Sequence, residues 1–179
     1  MEHDKVRANA IVEPDVPDLG YILKLIPNAD FKMDGFNDRL RLQKIVYMLQ
    51  AFGVNLGYGF SWYFRGPYCT SLARAGFELE QVYGMIPDDV RVKPIDPRAR
   101  DGLKRCIRFL KDVMSGPDDL DLLEIAASIH LLVRTTSLTK QDIFRRVREK
   151  MAIREVTDDM CEEMWRRLQK EGLISNGRA

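Results

Sequence analysis

The sequence predicts a mainly α fold: a compact helical domain of about six or seven helices with one short strand or hairpin at residues 58–65. Apolar residues recur in several segments at the three-and-four spacing of one helix face. A period of two, which is typical of a half-buried strand, occurs in one short stretch. The chain has 179 residues, which is enough to bury a core without disulfides or metals.

The N-terminal segment, residues 1–18, is predicted to be an extended lead-in, because Pro14 and Pro17 lie among acidic residues. Residues 19–179 are predicted to form a single mainly helical domain. The first helix of that domain is predicted to end before Pro27. Its apolar positions are Leu19, Ile22, Leu23 and Ile26.

The second predicted helix begins near Asp38, and either Asn37 or Asp38 is expected to cap it. Gly53 is expected to end it in a left-handed conformation. One face of this helix is apolar and carries Leu42, Ile45, Val46, Leu49 and Phe52. The opposite face is predicted to be polar and carries Arg39, Arg41, Gln43, Lys44 and Gln50.

The stretch FSWYFRGPY, residues 60–68, predicts a short strand followed by a tight corner. Three aromatic side chains alternate with the other positions and are expected to face the core; they are Phe60, Trp62 and Phe64. The dipeptide Gly66-Pro67 is expected to end the strand, because proline has no amide to donate. A hydroxyl group after the corner is expected to cap the next helix, and the candidates are Thr70 and Ser71.

The remaining segments predict further helices. One helix is predicted to run from the corner to about Gly84, and residues 85–97, which contain three prolines, are predicted to be a long loop and a subdomain break. An apolar stripe predicts a helix over 103–113. Residues 120–133 are apolar on nearly every side, which predicts the central helix of the second half of the chain. Two more amphipathic helices are predicted, starting at Thr139 and Thr157.

The charge and the cysteine content indicate which partners and which cellular compartment to expect. The 28 lysines and arginines nearly cancel the 27 aspartates and glutamates, so the chain has no overall field to attract nucleic acid or an anionic membrane. Its three cysteines are far apart, which favours reduced thiols. No apolar run is long enough for a membrane helix. We therefore expect a cytoplasmic protein without a membrane partner.

A search for catalytic groups yields weak candidates. The acidic pairs at 88–89, 118–119 and 158–159 occur in a loop or where helices begin, and carboxylates at a helix start are typical of capping. His130 lies in the apolar helix, where a packed, hydrogen-bonded role is expected. Cys69 precedes a helix, but no partner base is apparent, and a small corner-filling role is expected. No catalytic residue, cofactor or metal site is predicted.

One alternative function is DNA binding. The helices within residues 120–174 resemble the helical part of a winged-helix domain. Four basic side chains are placed for phosphate contacts: Arg145, Arg146, Arg148 and Lys150. The helix that would read the bases carries four carboxylates instead: Asp158, Asp159, Glu162 and Glu163. Because they would repel a polyanion, nucleic acid is not the expected partner.

Residues 39–74 carry a resemblance to a known family, in the run RLRLQKIVYMLQAFGVNLGYGFSWYFRGPYCTSLAR. This run resembles the YwgA-type uncharacterised proteins and, beyond them, the SocA-like Panacea domain. The run DLLEIAASIHLL, residues 121–132, also fits a family helix. The matching helix positions are Leu42, Gln43, Lys44, Val46 and Tyr47, and the matching corner positions are Trp62, Tyr63, Gly66, Pro67 and Tyr68. The family has Ser-Pro-Glu where this chain has Cys69-Thr70-Ser71.

The resemblance implies a non-enzymatic protein-binding regulator, because Panacea domains are antitoxins that neutralise toxins by direct contact. The expected partner is another protein, with a toxin as one candidate. A DNA-binding regulator is the alternative, and a small hydrolase or transferase is the third hypothesis. The expected partner-binding residues are Gln43, Lys44, Tyr47, Tyr63, Arg65, Gly66, Pro67 and Tyr68, which mix aromatic and basic groups as interfaces do.

Overall fold

The computed structural model describes residues 16–26, 31–88, 96–116, 119–151 and 155–175. Within these ranges the chain forms seven α-helices and one two-stranded antiparallel hairpin, which confirms the predicted mainly α fold. In chain order these are α1 (Val16–Lys24), α2 (Phe36–Ala51), β1 (Ser61–Tyr63), β2 (Gly66–Tyr68), α3 (Thr70–Val82), α4 (Pro97–Val113), α5 (Asp119–Thr135), α6 (Lys140–Lys150) and α7 (Asp158–Lys170). A 3₁₀ turn, Tyr83–Met85, continues α3.

One cluster of buried apolar side chains takes members from all seven helices. The first helix begins at Val16, within the predicted lead-in, and residues 1–15 lie outside the described ranges. Residues 89–95, in the predicted subdomain break, also lie outside them. None of the helices that the structure describes is long and apolar enough to cross a membrane.

Helix α5 is the central helix of the second half, as predicted, and it also contacts α2 and β2 of the first half. It packs against α2, α4, α6, α7 and β2. As a result, most of its side chains are buried. Three of its buried side chains are polar: Glu124, Ser128 and His130. Buried polar groups require partners: Glu124 binds Arg65 of the hairpin, and His130 binds Tyr47 of α2.

Two helices have N-cap residues that differ from the predicted ones. Gly35 caps α2, and Asp38 lies within the first turn, where its carboxylate accepts a hydrogen bond of 2.9 Å from the Gly35 amide. Cys69 occupies the cap position of α3, so the predicted capping by Thr70 or Ser71 is wrong. The prediction looked for a side-chain oxygen at the cap, and neither Gly35 nor Cys69 caps its helix with a side-chain hydrogen bond. Gly53 has a φ of 93° after α2, as expected for a left-handed end.

The aromatic corner is a hairpin at 61–68, three residues later than the predicted 58–65. Its second strand contains Pro67, which pairs with Trp62 in the register. Proline is compatible with a strand here because a two-stranded hairpin consists of edges that need no further amide donor. The prediction that Phe64 faces the core is wrong: it lies in the turn with 60 % of its surface exposed. The prediction continued the alternation of buried and exposed side chains to Phe64, but the strand ends at Tyr63 and a turn follows.

Candidate functional site

A groove of about 720 Å³ lies between α2, the hairpin and α3. Its edge carries four large aromatic side chains with much of their surface in solvent: Phe36 (54 %), Tyr63 (62 %), Phe64 (60 %) and Phe77 (48 %). Soluble proteins seldom leave a contiguous apolar patch exposed unless it serves an interface or a ligand. The groove is therefore the candidate functional site.

The aromatic edge is organised by contacts between the hairpin and α2. The rings of Tyr63 and Tyr68 lie across the two strands from each other with centroids 5.2 Å apart. The guanidinium of Arg65 lies 5.7 Å from the centre of the Phe36 ring. Such cross-strand aromatic pairs and cation–π contacts each contribute a fraction of a kilocalorie to about 1 kcal/mol, so they orient the edge rather than hold the fold.

Two side chains of α2 hold the corner in place through hydrogen bonds to its backbone. The Gln43 amide donates to the Cys69 carbonyl (2.9 Å) and accepts from the Cys69 amide (2.8 Å). Lys44 Nζ donates to the Pro67 carbonyl at 2.7 Å. Both side chains are buried, at 2 % and 1 % exposed, although the sequence placed them on a polar face. The hairpin and Cys69, which follows it, cover that face of α2 and supply the backbone partners of both side chains.

A buried charge cluster lies beneath the hairpin turn. Arg65 donates two hydrogen bonds of 2.6 Å to the carboxylate of Glu124, which has no exposed surface. The Lys44 ammonium is close enough to feel both charges. Burial lowers the pKa of Lys44 from 10.5 to about 7, while Glu124 opposes and Arg65 reinforces that shift. With Lys44 protonated, the three groups carry one uncompensated positive charge.

Gly66 allows the hairpin to approach α5. Its φ of +80° is one that side chains rarely adopt. A Cβ atom at this position would lie 2.1 Å from Ser128 Oγ and 3.6 Å from Lys44 Nζ. Glycine is therefore required both by the turn and by the contact with the central helix.

Tyr47 belongs to the core beside the groove. Its hydroxyl lies 2.7 Å from His130 Nδ1, and its ring packs edge-on against Phe60 at 5.2 Å. Burial, aided by Arg134, lowers the pKa of His130 to about 4, and burial raises the pKa of Tyr47. The neutral imidazole thus accepts from the Tyr47 hydroxyl. The expectation of a packed, hydrogen-bonded His130 is confirmed.

The structure brings most of the sequence-predicted site residues together. Six line the groove: Gln43, Lys44, Tyr63, Arg65, Gly66 and Tyr68. Pro67 contributes its carbonyl to Lys44, whereas Tyr47 lines a different depression together with His130. Gln43, Lys44 and Tyr47 are buried and support the corner from within. Gln43 and Lys44 also form part of the groove lining.

Sequence reasoning missed part of this site. Phe36 and Phe77 are aromatic residues that fall outside the apolar stripes of their helices, which is a usable signal for an exposed contact. Glu124 and Ser128 are polar positions four residues apart in an otherwise apolar helix, which signals a buried polar cluster. Neither pattern was included in the prediction of the site.

The other candidate chemical groups have structural partners. Cys69 is buried, with its Sγ atom 3.1 Å from Ser71 Oγ. Asp119 binds Arg41 at 2.8 Å, and Asp158 binds Arg148 at 3.0 Å. Asp118 and Asp89 lie outside the described ranges. In the part of the chain that the structure describes, no three His, Cys, Asp or Glu side chains are grouped to hold a metal ion.

The basic residues of the C-terminal third are mostly engaged by nearby acids or by the groove. Arg145 pairs with Asp142 within α6, and Lys140 of α6 pairs with Glu162 of α7. The Arg146 guanidinium lies 5.9 Å from the centre of the Trp62 ring. These contacts neutralise or occupy side chains that a DNA-binding surface would leave free for phosphates.

Comparisons of the chain with protein-family models, with curated proteins and with solved structures found no match. The resemblance of residues 39–74 to the Panacea-type domains therefore stays a prediction. A function has to be argued from the groove and its residues.

Proposed function

We propose that this protein is a non-enzymatic regulator that binds another protein through the groove between α2, the hairpin and α3. The observation that carries the proposal is the edge of exposed aromatic side chains around a cavity of about 720 Å³. Aromatic residues are enriched at protein interfaces and dominate their energetics. A buried polar network holds this edge in place, so little ordering is required on binding.

The composition of the groove favours binding over catalysis. Among the described residues that line it there is no carboxylate, imidazole, thiol or aliphatic hydroxyl. A hydrolase or transferase ordinarily positions an acid–base pair or a nucleophile against its substrate. The groove offers one buried amine and tyrosine hydroxyls instead. The resemblance to Panacea domains adds a partner class, namely a protein toxin.

The proposal is tested by affinity capture from the native host with four baits analysed in parallel. The baits are the parent protein, Phe64→Ser, Phe77→Ser and, as a matched control, Met85→Ser, whose side chain is 71 % exposed and lies outside the groove. We expect one protein to be captured by the parent and the control and lost with both groove variants. Co-expression then shows whether the parent, but not Phe64→Ser, relieves growth arrest caused by that protein.

Two results would contradict the proposal. Equal capture by all four baits would show that the aromatic edge has no part in binding. Nanomolar, sequence-dependent binding of a DNA duplex at physiological salt would favour the DNA-binding alternative, since non-specific binding has a Kd of about 10⁻⁴–10⁻⁶ M. We expect only the weak, sequence-independent kind, because the basic side chains of α6 are largely paired.

A further inference from the structure

We infer that the groove receives a partner segment in which an aspartate or glutamate lies between apolar side chains, and that this carboxylate binds at Lys44. The inference rests on the proposed function and adds the chemistry of the partner to it. Charge, hydrogen-bonding capacity and shape lead to it separately.

The charges that line the groove are all positive. The described lining contains Arg39, Lys44, Arg65 and Lys150 and no aspartate or glutamate. Arg65 is compensated from outside the groove by Glu124. The Arg39 guanidinium donates to the backbone carbonyls of residues 33 and 34, which are neutral acceptors. The groove therefore attracts an anionic segment and repels a cationic one.

Lys44 is the cation with the greatest need for an anion. Its ammonium has three donors, and the described contacts supply one acceptor, the Pro67 carbonyl at 2.7 Å. Lys44 is part of the lining of the groove, next to Gly66 of the hairpin. A buried charge is costly unless it is paired. A carboxylate from a partner would remove the single excess positive charge of the cluster formed by Lys44, Arg65 and Glu124.

The surroundings of Lys44 complete the pattern of the segment. The indole Nε1 of Trp62 is buried and has no acceptor among the described residues, and Trp62 also lines the groove. The polar groups here thus lack acceptors rather than donors. The exposed rings of Phe36, Phe64 and Phe77 lie around them. Apolar side chains on both sides of one acid match this arrangement.

The test uses a random dodecapeptide display library selected on the full-length protein, with Phe64→Ser as the counter-selection for peptides that bind outside the groove. We expect the selected peptides to contain an aspartate or glutamate between apolar residues. A fluorescein-labelled peptide is then compared with its twin in which the acid is replaced by the amide. The amide twin should bind the parent at least about tenfold more weakly.

Variants of the protein assign this effect to Lys44. In Lys44→Met the acidic and amide peptides should bind equally, because the charge that distinguishes them is gone. Lys111→Met is the matched control, since Lys111 is exposed on α4 and does not line the groove. The control should retain the full difference between the two peptides.

Titration of the parent protein supplies a readout that does not depend on the folding of Lys44→Met. The carboxylate pairs with the protonated amine, and the pKa of Lys44 in the free protein is lowered to about 7. The charged groups acting on this amine are Glu124 of α5 and Arg65 of the hairpin. Binding of the acidic peptide should therefore weaken above pH 7, by at most about tenfold per pH unit. Binding of the amide peptide should stay constant between pH 6.5 and 8.5.

The outcomes separate this inference from the proposed function. Groove-directed peptides without an acid, or acidic peptides that are insensitive to both Lys44→Met and pH, overturn the inference and leave the proposed function standing. Peptides that all bind Phe64→Ser as well as the parent contradict both. Self-association of the parent in sedimentation experiments that Phe64→Ser abolishes assigns the groove to a second copy of this chain and also overturns the inference.

Discussion

Arg65 at the hairpin turn and Glu124 on α5 form a bidentate ion pair. Arg65 Nε lies 2.6 Å from Glu124 Oε1, and Arg65 Nη2 lies 2.6 Å from Glu124 Oε2. The Glu124 side chain is fully buried, and that of Arg65 is 14 % exposed. Because the two residues are 59 positions apart in the chain, the pair fastens the hairpin to α5. The sequence predicted Arg65 as a residue that contacts the partner. The ion pair shows that Arg65 also holds the hairpin, which forms one wall of the groove, against α5.

Arg65→Ala is expected to destabilise the protein by about 3–5 kcal/mol, because it removes both hydrogen bonds that Arg65 donates to the buried Glu124 carboxylate. Urea unfolding at neutral pH measures this change. Arg145→Ala is the matched control: its side chain is 65 % exposed and pairs with Asp142, so its removal should cost no more than about 1 kcal/mol. An Arg65→Ala protein as stable as the parent would contradict the buried pair.

Gly66→Ala is expected to destabilise the protein by about 2 kcal/mol or more, from the left-handed backbone and from collision with Ser128. Placing it in a Ser128→Gly background should recover part of the loss, since that removes the collision but not the backbone strain. Gly59→Ala is the control, because a Cβ there meets nothing within 4 Å. Thermal unfolding of the four proteins checks the order.

The helices were predictable because their apolar stripes are local. The stripe at 103–113 and the apolar segment at 120–133 correspond to α4 and α5. The hairpin was placed too early because the period of two gives no warning of a turn at Phe64. A turn depends on the backbone conformation of Gly66, and the pattern of side chains does not report that conformation.

The candidate site was predictable as a region and not in its detail. The motif residues around the corner do meet at one groove, yet Gln43 and Lys44 are buried where their helix predicted a polar face. Periodicity reports which face of a helix a residue occupies, but not what covers that face. The partners of Lys44 come from Pro67 and Glu124, which are distant in sequence, and no local pattern contains them.

His130 is expected to make the protein less stable in mild acid. Burial lowers the pKa of His130 from 6.5 to about 4, so the unfolded chain takes up a proton over this range and the folded chain does not. Its contribution is complete above about pH 6.5 and is lost as the pH falls towards 4. The loss by pH 4.5 is about 2–3 kcal/mol.

The measurement is urea unfolding of the parent and His130→Asn at pH 7.5 and 4.5. Asparagine offers an oxygen to the Tyr47 hydroxyl but does not titrate, and the carboxylates common to both proteins cancel in the comparison. The parent should lose about 2–3 kcal/mol more than the variant on acidification. Equal losses in the two proteins would show that His130 is not held neutral by burial.

Lys44 is expected to make the stability of the protein depend on pH above neutrality, whereas His130 does so below it. Burial lowers the pKa of Lys44 in the folded protein to about 7, against 10.5 for the exposed amine. Between these values the unfolded chain holds a proton that the folded chain has released, so stability rises with pH by at most about 1.4 kcal/mol per unit. Below pH 7 both states are protonated, and the folded state bears the full cost of a buried ammonium.

Lys44→Met lacks this titration, so its stability relative to the parent should fall by about 2–3 kcal/mol between pH 6.5 and 9. At pH 6.5 methionine avoids the buried charge but leaves the Pro67 carbonyl without a donor, and these effects oppose each other. The pH dependence of the difference is therefore the diagnostic quantity, whatever its starting value. Lys111→Met, at an exposed position of α4, should show a flat difference. A flat difference for Lys44→Met as well would show that the pKa of Lys44 is not lowered in the folded protein.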